Sequence, residues 1–351
     1  MDYEKIKPLF FKLDPEYAHH MVTGLLKVGE LLPQLFNPWV EKNFVDNEKL
    51  HQRIFGRTFL NPVGLAAGFD KDGELIRSMT AMGFGFTEVG TVTPKPQPGN
   101  PAPRLWRHVE EESLQNAMGF NNRGSLYMER RLKKRFPYVT PIGVNIGKNK
   151  TTPEKEALRD YEHGIRVFAK LCDYLVINIS SPNTPGLRNL QNESFIEALF
   201  GMAKSLTEKP VLLKIAPDME RDEAVSLSLK AVEVGADGII LNNTSIDYSL
   251  VANPKEVGGI SGRAIKQKSF EFFDAVAAEL FGKTVLISVG GIDSGYEAYR
   301  RIRAGANLVQ VLSGLIFKGP ELPGTINRTL LKLLEKDGFA NIGEAVGADR
   351  K

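Results

Sequence analysis

Two asparagines and two serines follow closely on an apolar run between residues 174 and 186. The run is rich in aliphatic and β-branched side chains, which is typical of a buried strand. The polar loop after it contains two prolines, which restrict its backbone. Two interpretations stay open on these residues alone: a catalytic or binding loop at the end of a core strand, or a polar turn that satisfies its own backbone.

A second candidate for chemistry is Lys214, which interrupts the apolar segment 211–216. An ammonium group at this position would be partly removed from water and needs an anionic or polar partner. That partner could be a nearby carboxylate such as Asp218. Alternatively, the lysine could lie beneath a cofactor that becomes negatively charged.

Glycines recur late in the chain, at Gly262, Gly290 and Gly291, and Gly314 follows Ser313. Glycine lets backbone N–H groups approach an anion closely, and barrel enzymes often bind phosphate after their last two strands. The pattern therefore favours a phosphate site. The alternative is that these glycines only terminate strands.

The elements that must position these residues begin near residue 61, where short apolar segments start to alternate with helical patterns. Strict alternation predicts parallel strands with right-handed crossovers. Eight such units over roughly 290 residues favour an α/β fold of the (β/α)8 TIM-barrel type over an open doubly wound sheet. The eight strands are predicted at 62–68, 86–91, 141–147, 174–179, 211–216, 238–244, 285–291 and 308–312.

Nucleotide-binding motifs are not fulfilled. Gly83 and Gly85 lack the third glycine of a dinucleotide fingerprint, and the segment 143–148 is too short for a P-loop. Amides and hydroxyls dominate the predicted strand ends, which favours a large neutral or weakly anionic ring as ligand and disfavours a metal.

Composition excludes several classes of function. A net charge of +3 gives no argument for nucleic-acid binding. The single cysteine, Cys172, allows no internal disulfide and suggests a reducing compartment. The five histidines show no metal-ligand spacing. No apolar run approaches the roughly 20 residues of a membrane span, and no signal peptide is apparent, so we expect an intracellular protein with a soluble body.

The first forty-odd residues differ from the rest, and we expect a domain boundary between 1–43 and 44–351. Asp14 and Pro15 predict a helix start, and apolar residues recur at helical spacing up to Pro33. A shorter helix with interleaved lysines precedes it. This two-helix extension could lie in a membrane interface or could be an ordinary helical pair packed on the barrel.

Six ordered motifs resemble those of the dihydroorotate dehydrogenase family, and the resemblance covers nearly the whole chain. They lie at residues 65–73, 116–122, 143–148, 178–188, 259–262 and 308–310. The resemblance implies an FMN-containing (β/α)8 barrel that oxidises dihydroorotate to orotate in the synthesis of pyrimidines (UMP).

Two features resemble class 2 of that family, the membrane-associated enzymes that reduce a quinone. Ser181 stands where class 1 relatives carry cysteine, and Cys172 is too far upstream to replace it. The N-terminal extension is the other feature. The resemblance thus implies a cap for quinone entry and peripheral attachment to the cytoplasmic side of the cell membrane.

The resemblance also implies roles for individual residues, with Ser181 as the catalytic base and Thr184 as a possible relay partner. The implied substrate-binding residues are Lys71, Asn116, Ala117, Met118, Gly119, Phe120, Asn178, Asn183, Asn243 and Thr244. The implied cofactor-binding residues are Ala67, Gly68, Phe69, Asp70, Lys71, Thr91, Asn145, Asn178, Lys214, Asn242, Gly262, Gly291, Leu312 and Ser313. His19 and Arg107 match positions that line the quinone tunnel.

One departure is Leu312, where family members often have tyrosine. The change is tolerable if that position contributes mainly its backbone N–H. Two other functions are weighed as alternatives. One is a soluble fumarate- or NAD-linked relative, or another FMN barrel that acts on a different ring. The other is a non-catalytic barrel that binds flavin or phosphate and is recruited to membranes.

Overall fold

The computed structural model describes residues 3–350, and its core is a closed barrel of eight parallel strands. The strands are β1 (Gln52–Ile54), β2 (Arg57–Phe59), β3 (Val63–Leu65), β4 (Phe86–Val92), β5 (Leu105–His108), β6 (Ser113–Asn116), β7 (Ile142–Ile146), β8 (Tyr174–Asn178), β9 (Val211–Ile215), β10 (Gly238–Leu241), β11 (Gly259–Gly262), β12 (Val285–Val289) and β13 (Leu308–Val311). The barrel order is β3-β4-β7-β8-β9-β10-β12-β13, and β13 pairs with β3 to close it. All eight predicted strands are present in chain order, which confirms the predicted TIM barrel.

Three helices precede the barrel strands, and the other helices follow them and cover the outside of the barrel. They are α1 (Tyr3–Phe11), α2 (Pro15–Leu31), α3 (Asn37–Asn43), α4 (Ile76–Ala81), α5 (Ser125–Lys133), α6 (Ala157–Phe168), α7 (Glu193–Leu206), α8 (Arg221–Glu233), α9 (Lys266–Leu280), α10 (Gly295–Arg303), α11 (Ser313–Lys318), α12 (Leu322–Asp337) and α13 (Ile342–Ala345). Polar caps fix several starts: the Asn192 and Ser294 side chains accept backbone N–H groups in the first turns of α7 and α10.

Large aromatic side chains fill the end of the barrel where the strands begin. A Cβ at Gly64 would lie 2.2 Å from the ring of Phe86, and one at Gly143 would lie 2.3 Å from the ring of Tyr174. Glycine at these two positions therefore makes room for the rings. The β1–β2 hairpin covers this end, with Phe59 edge-on to Phe86 at 5.4 Å between centroids. The opposite end, where the strands finish, is left for ligands.

The Pro-rich excursion 93–120 contributes to a small sheet that the sequence did not predict. Strand β6 pairs antiparallel with β5 and with β11, which belongs to the long loop after β10. Asn116 on β6 is paired with Gly259, so this small sheet joins two loops that are far apart in the chain.

The N-terminal extension packs against the barrel as helices, as predicted. The Asp14 side chain accepts the N–H groups of Glu16 and Tyr17 and caps α2, and Pro15 occupies the first turn. After Pro33 the chain continues in a short 3-10 turn and then in α3, a third helix that was not predicted because seven residues are too few for a periodic pattern. No helix within residues 3–350 is long and apolar enough to span a bilayer.

Candidate active site

The finishing ends of the barrel strands open into a cavity of about 890 Å³ that extends beneath α1 and α2. Of the residues assigned to catalysis, binding or the quinone tunnel, all but two line it, whereas the possible relay residue Thr184 does not. The lining residues are His19, Ala67, Gly68, Phe69, Asp70, Lys71, Thr91, Arg107, Asn116, Met118, Gly119, Phe120, Asn178, Ser181, Asn183, Lys214, Asn242, Asn243, Thr244, Gly262, Gly291, Leu312 and Ser313.

The two exceptions are Ala117 and Asn145. Asn145 is fully buried behind Thr91, whose hydroxyl donates to Asn145 Oδ1 at 2.5 Å. Ala117 is buried as well, and its backbone N–H donates to the carbonyl of Arg104. In this geometry both residues support neighbours that line the cavity and do not form its wall themselves.

An amide network forms one side of the cavity floor. Asn178, at the end of β8, donates from Nδ2 to Thr91 Oγ1 (3.0 Å) and Asn145 Oδ1 (3.1 Å). Its Oδ1 accepts from the hydroxyl of Ser180 at 3.0 Å, and that hydroxyl oxygen in turn accepts from Asn243 Nδ2 at 2.8 Å. The network fixes which end of each amide faces the cavity.

Lys214 is buried, and its partner is not Asp218, the carboxylate considered in one of the two interpretations of this lysine. Its Nζ lies 3.6 Å from a carboxylate oxygen of Glu88, a fully buried residue of β4. Asp218 instead pairs with Arg188 and Lys268. Lys214 lines the cavity and Glu88 lies behind it. The lysine therefore places a positive charge on the cavity floor, and the carboxylate of Glu88 balances that charge.

Glu88 was missed by sequence reasoning, together with Gln310. Glu88 accepts from Asn145 Nδ2 at 2.7 Å and from Gln310 Nε2 at 2.6 Å. Because Gln310 Nε2 is committed to Glu88, its Oε1 is left as a buried acceptor that has no partner within residues 3–350. The available signal was a carboxylate two residues after Phe86, on the same inward-facing side of an apolar strand.

Ser181 lies in the loop after β8 and is only 6% exposed. The backbone N–H of Asn183 donates to Ser181 Oγ at 3.2 Å. Asn183 also donates from Nδ2 to Asn116 Oδ1 at 3.2 Å, which ties this loop to β6. The hydroxyl of Thr184 is buried and has no hydrogen-bond partner among the described residues.

Arg188 is a further residue that sequence reasoning left without a role. Its Nε donates to the carbonyl of Ser180 and its Nη2 to the carbonyl of Thr244, each at 3.0 Å. Its Nη1 lies 3.0 Å from Asp218. The guanidinium therefore joins the loop of Ser181 to the loop after β10.

Lys71 and Asp70 lie after β3 and have different tasks. Lys71 donates from Nζ to the carbonyl of Gly68 at 2.7 Å, and burial lowers its pKa to about 8. The carboxylate of Asp70 accepts the N–H groups of Glu74 and Leu75 at 2.8 Å. Burial nevertheless raises the Asp70 pKa to about 6. Asp70 thus organises its own loop, and Lys71 supplies a positive charge at the cavity wall.

Glycine turns form the far wall. Gly262, Gly290 and Gly291 all have positive φ (101°, 114° and 74°), which other residues rarely adopt. A Cβ at Gly291 would lie 2.5 Å from Cα of Lys266. Ser313 lies beside these turns, and its hydroxyl is 2.8 Å from that of Ser261. This wall offers backbone N–H groups and hydroxyls, which suits an anion.

The part of the cavity beneath the N-terminal helices is largely apolar, with Arg107 and His19 as its polar residues of interest. Arg107 donates from Nη1 to the carbonyl of Leu13 at 2.7 Å and lies over the ring of Phe11 at 4.9 Å. His19 packs edge-on against Phe69 at 5.0 Å. Burial, and after it the charge of Lys71, lowers the His19 pKa to about 3, so the imidazole is neutral at physiological pH.

Comparisons with known proteins agree with this architecture. The profile of the family "Dihydroorotate dehydrogenase" matches residues 49–334. Two curated relatives, from Sulfurimonas denitrificans and a Nitratiruptor species, are both named dihydroorotate dehydrogenase (quinone). They are 59% and 58% identical to this chain over 100% and 99% of both sequences.

Solved structures give the same answer. The ligand-free DHODH of Eimeria tenella superposes with a TM-score of 0.88 at 37% identity, over 96% of this chain and 100% of that one. Its complex with ferulenol gives 0.86 at 37% identity over 96% of each chain. The resemblance seen in the sequence motifs is confirmed: the chain belongs to the dihydroorotate dehydrogenase family, in the quinone-linked class.

Proposed function

We propose that this protein oxidises (S)-dihydroorotate to orotate in de novo pyrimidine (UMP) biosynthesis and passes the electrons through FMN to a membrane quinone. The observation that carries the proposal is one continuous cavity. Ser181 and several asparagine side chains line it near the finishing ends of the barrel strands, and an apolar passage leads beneath the N-terminal helices. Such a cavity can admit a polar ring and an apolar acceptor from different sides.

The residues present fit FMN. Gly290 and Gly291 line the cavity with bare backbone, packed so closely on the start of α9 that a Cβ at Gly291 would lie 2.5 Å from Cα of Lys266, and such a turn offers N–H groups suited to a phosphate. Buried acceptors that have no partner among the described residues, Asn242 Oδ1 and Gln310 Oε1, suit the polar edge of a ring. The residues that would hold the cofactor are Ala67, Gly68, Phe69, Asp70, Lys71, Thr91, Asn178, Lys214, Asn242, Gly262, Gly291, Leu312 and Ser313, with Asn145 supporting them from behind.

Bound FMN would supply the chemistry that no side chain has, acceptance of a hydride. Ser181 would remove a proton from C5 of dihydroorotate as general base. Its Oγ is held by the N–H of Asn183, and the buried hydroxyl of Thr184 lies in the same loop. Because a serine hydroxyl is a weak base at neutral pH, its position and its neighbours must assist the transfer.

Substrate binding is assigned to the residues around Ser181. The amides of Asn116, Asn178, Asn183 and Asn243, with Thr244, can pair with the amide edges and carboxylate of the substrate. Lys71 supplies a positive charge for that carboxylate, and Met118, Gly119 and Phe120 close the cavity wall, with Ala117 behind them. Lys214 would stabilise negative charge that develops on the reduced cofactor.

Residues 1–43 are proposed as a cap for quinone entry, and 44–351 as the FMN-binding barrel. His19 and Arg107 line the passage beneath the cap. Away from the cavity the cap exposes large apolar side chains, among them Leu9 (63% exposed), Leu31 (78%) and Leu35 (58%). Exposed leucines beside lysines favour peripheral attachment to a membrane surface, here the cytoplasmic side of the cell membrane.

The test is a two-step spectroscopic experiment on the purified protein. We expect a yellow protein whose flavin absorbance bleaches anaerobically on addition of dihydroorotate and returns on addition of a quinone analogue. A protein that takes up no FMN, or whose flavin is not reduced by dihydroorotate, contradicts the proposal. Reoxidation by fumarate but not by the quinone analogue would contradict the quinone-linked part alone.

A further inference from the structure

Arg301 on α10 is fully buried, whereas its neighbour Arg300 keeps its side chain 40% exposed. Both guanidinium groups lie over the ring of Phe270, at 3.5 Å for Arg300 and 5.2 Å for Arg301. Removing a guanidinium from water is costly unless its donors are satisfied and its charge is balanced. The partners of Arg301 therefore indicate why it is inside.

The charge of Arg301 is balanced within its own helix. Its Nε donates to a carboxylate oxygen of Glu297 at 2.7 Å, and Glu297 is itself buried. The two remaining nitrogens point away from this carboxylate. Nη1 donates to the hydroxyl of Ser288 on β12 at 3.3 Å.

Nη2 reaches the backbone of the glycine turn. It donates to the carbonyl of Gly290 at 3.2 Å, to the carbonyl of Lys266 at 2.8 Å and to the hydroxyl of Ser269 at 2.9 Å. The hydroxyl of Ser269 donates in turn to the Gly290 carbonyl at 2.7 Å. One buried cation thus holds the turn after β12 and the start of α9 together.

These contacts fix the direction of a peptide group. In a trans peptide the C=O and the following N–H point in opposite directions. Because the Gly290 carbonyl is drawn toward Arg301 and Ser269, the N–H of Gly291 is directed the other way, and this turn lines the cavity. Both glycines lack a Cβ and adopt positive φ without steric cost, so the two outside donors, and not side-chain sterics, set the orientation of the turn.

We propose that Arg301 is a positioning residue for the phosphate of FMN: it does not touch the cofactor, but holds the Gly290–Gly291 turn so that backbone N–H groups face the phosphate monoester. This inference rests on the proposed function, since it needs FMN as the ligand. A residue that only joined α9 to α10 would stabilise the fold without any preference for the phosphate. The two roles therefore differ in one measurable quantity, the affinity for FMN relative to riboflavin.

The experiment uses the full-length protein stripped of flavin and measures dissociation constants for FMN and riboflavin by quenching of flavin fluorescence. In Arg301→Met the turn is no longer held, and its N–H groups should lose their alignment with the phosphate. We expect the FMN affinity to fall about tenfold or more, the effect of losing a hydrogen bond to a charged group. Riboflavin has no phosphate, so its affinity should stay within about twofold, a change that corresponds to well under one hydrogen bond. Arg300→Met, one residue away on the same helix and over the same ring, is the matched control and should change neither affinity.

Arg301→Lys is the second variant, in case the methionine variant does not fold. A lysine keeps the charge opposite Glu297 but lacks the fork that reaches several acceptors at once. We expect the same selective loss for FMN in a smaller amount. Equal losses for both flavins, or no loss for either, in a folded variant would overturn the role of Arg301. A wild-type protein that binds no flavin, or binds riboflavin as tightly as FMN, would instead contradict the proposed function or its phosphate site.

Discussion

Ser181 is buried at the cavity wall with its oxygen held by a backbone N–H, so a small change of side chain should remove its chemistry without disturbing the fold. We predict that Ser181→Ala slows flavin reduction by dihydroorotate by about 10²–10⁴-fold, the usual contribution of a general base. FMN content should stay unchanged. Stopped-flow absorbance of the flavin measures the rate.

A surface serine provides the matched control for this substitution. Ser205 on α7 is exposed, and its hydroxyl donates to the carbonyl of Met202 in its own helix. Ser205→Ala should reduce its flavin at the wild-type rate. If Ser181→Ala did the same, Ser181 would have no part in proton removal.

Lys71 gives a prediction about pH. Burial lowers its pKa to about 8, so the side chain carries its positive charge below that pH and loses it above. Since dihydroorotate is an anion, its binding should weaken as Lys71 loses its proton. We predict that kcat/KM for dihydroorotate falls as pH rises through about 8, measured with saturating quinone.

The comparison for this pH profile is Lys71→Met. The variant should be less active at every pH and should show no decline centred near pH 8. A decline of the same shape in Lys71→Met would assign it to another group.

At the scale of residues, the sequence predicted that Ser181 and Lys214 belong to the site, but it did not predict Glu88 beside them. A charged residue within an apolar run, such as Lys214, can be recognised in the sequence, and so can a serine in the loop after a strand, such as Ser181. The partner of Lys214 is not visible, because pairing depends on the height at which each strand enters the barrel. Glu88 meets Lys214 through the stagger of strands that are not sequence neighbours, whereas Asp218 is nearby in the chain and points elsewhere.

At the scale of elements, α2 is fixed to the barrel by a buried carboxylate near its C-terminal end. Glu30, 3% exposed, accepts the backbone N–H of Ser78 at 2.7 Å and its hydroxyl at 2.8 Å, and it lies 3.2 Å from Arg135. Glu30→Ala would leave a buried N–H and a cation without their acceptor. We predict a loss of about 2–3 kcal/mol in the free energy of unfolding.

Urea denaturation followed by circular dichroism measures this loss. Glu41→Ala is the control, because Glu41 is an exposed acidic residue of the same extension and a surface change of this kind costs less than about 0.5 kcal/mol. A Glu30→Ala protein as stable as the control would show that α2 is held by its apolar face alone.

Elements with a long periodic pattern were predicted well, and the small sheet of β5, β6 and β11 was not. The pairing of Asn116 with Gly259 joins two loops that are 143 residues apart in the chain (259 − 116). Each strand has only four residues, which leaves no alternation long enough to recognise. Such strands are specified by the partner that they meet after folding, and a single sequence does not contain that information.

At the scale of the whole molecule, the exposed apolar residues of α2 give a prediction about membranes. Val28 and Leu31 are 51% and 78% exposed and do not line the cavity, so their replacement should disturb neither the core nor the quinone passage. We predict that the double variant Val28→Glu/Leu31→Glu loses most of its binding to phospholipid vesicles and most of its turnover with a long-chain quinone held in them. Flavin reduction by dihydroorotate should be unchanged.

Co-sedimentation with vesicles measures binding, and the stopped-flow half-reaction verifies that the barrel is intact. Leu126→Glu serves as the control, because Leu126 is similarly exposed on α5 of the barrel. Equal vesicle binding by the wild type and the α2 variant would contradict attachment through this extension.

The closure of the barrel has a consequence for how the protein is made. The last strand, β13, pairs with the first, β3, through Val309 and Val63, so the ring is incomplete until the end of the chain is available. During translation the N-terminal helices leave the ribosome early and the strand that completes the ring leaves late. A stable flavin site therefore requires the last strand, and a nascent chain arrested before residue 308 should bind no flavin and lack the yellow flavin absorbance.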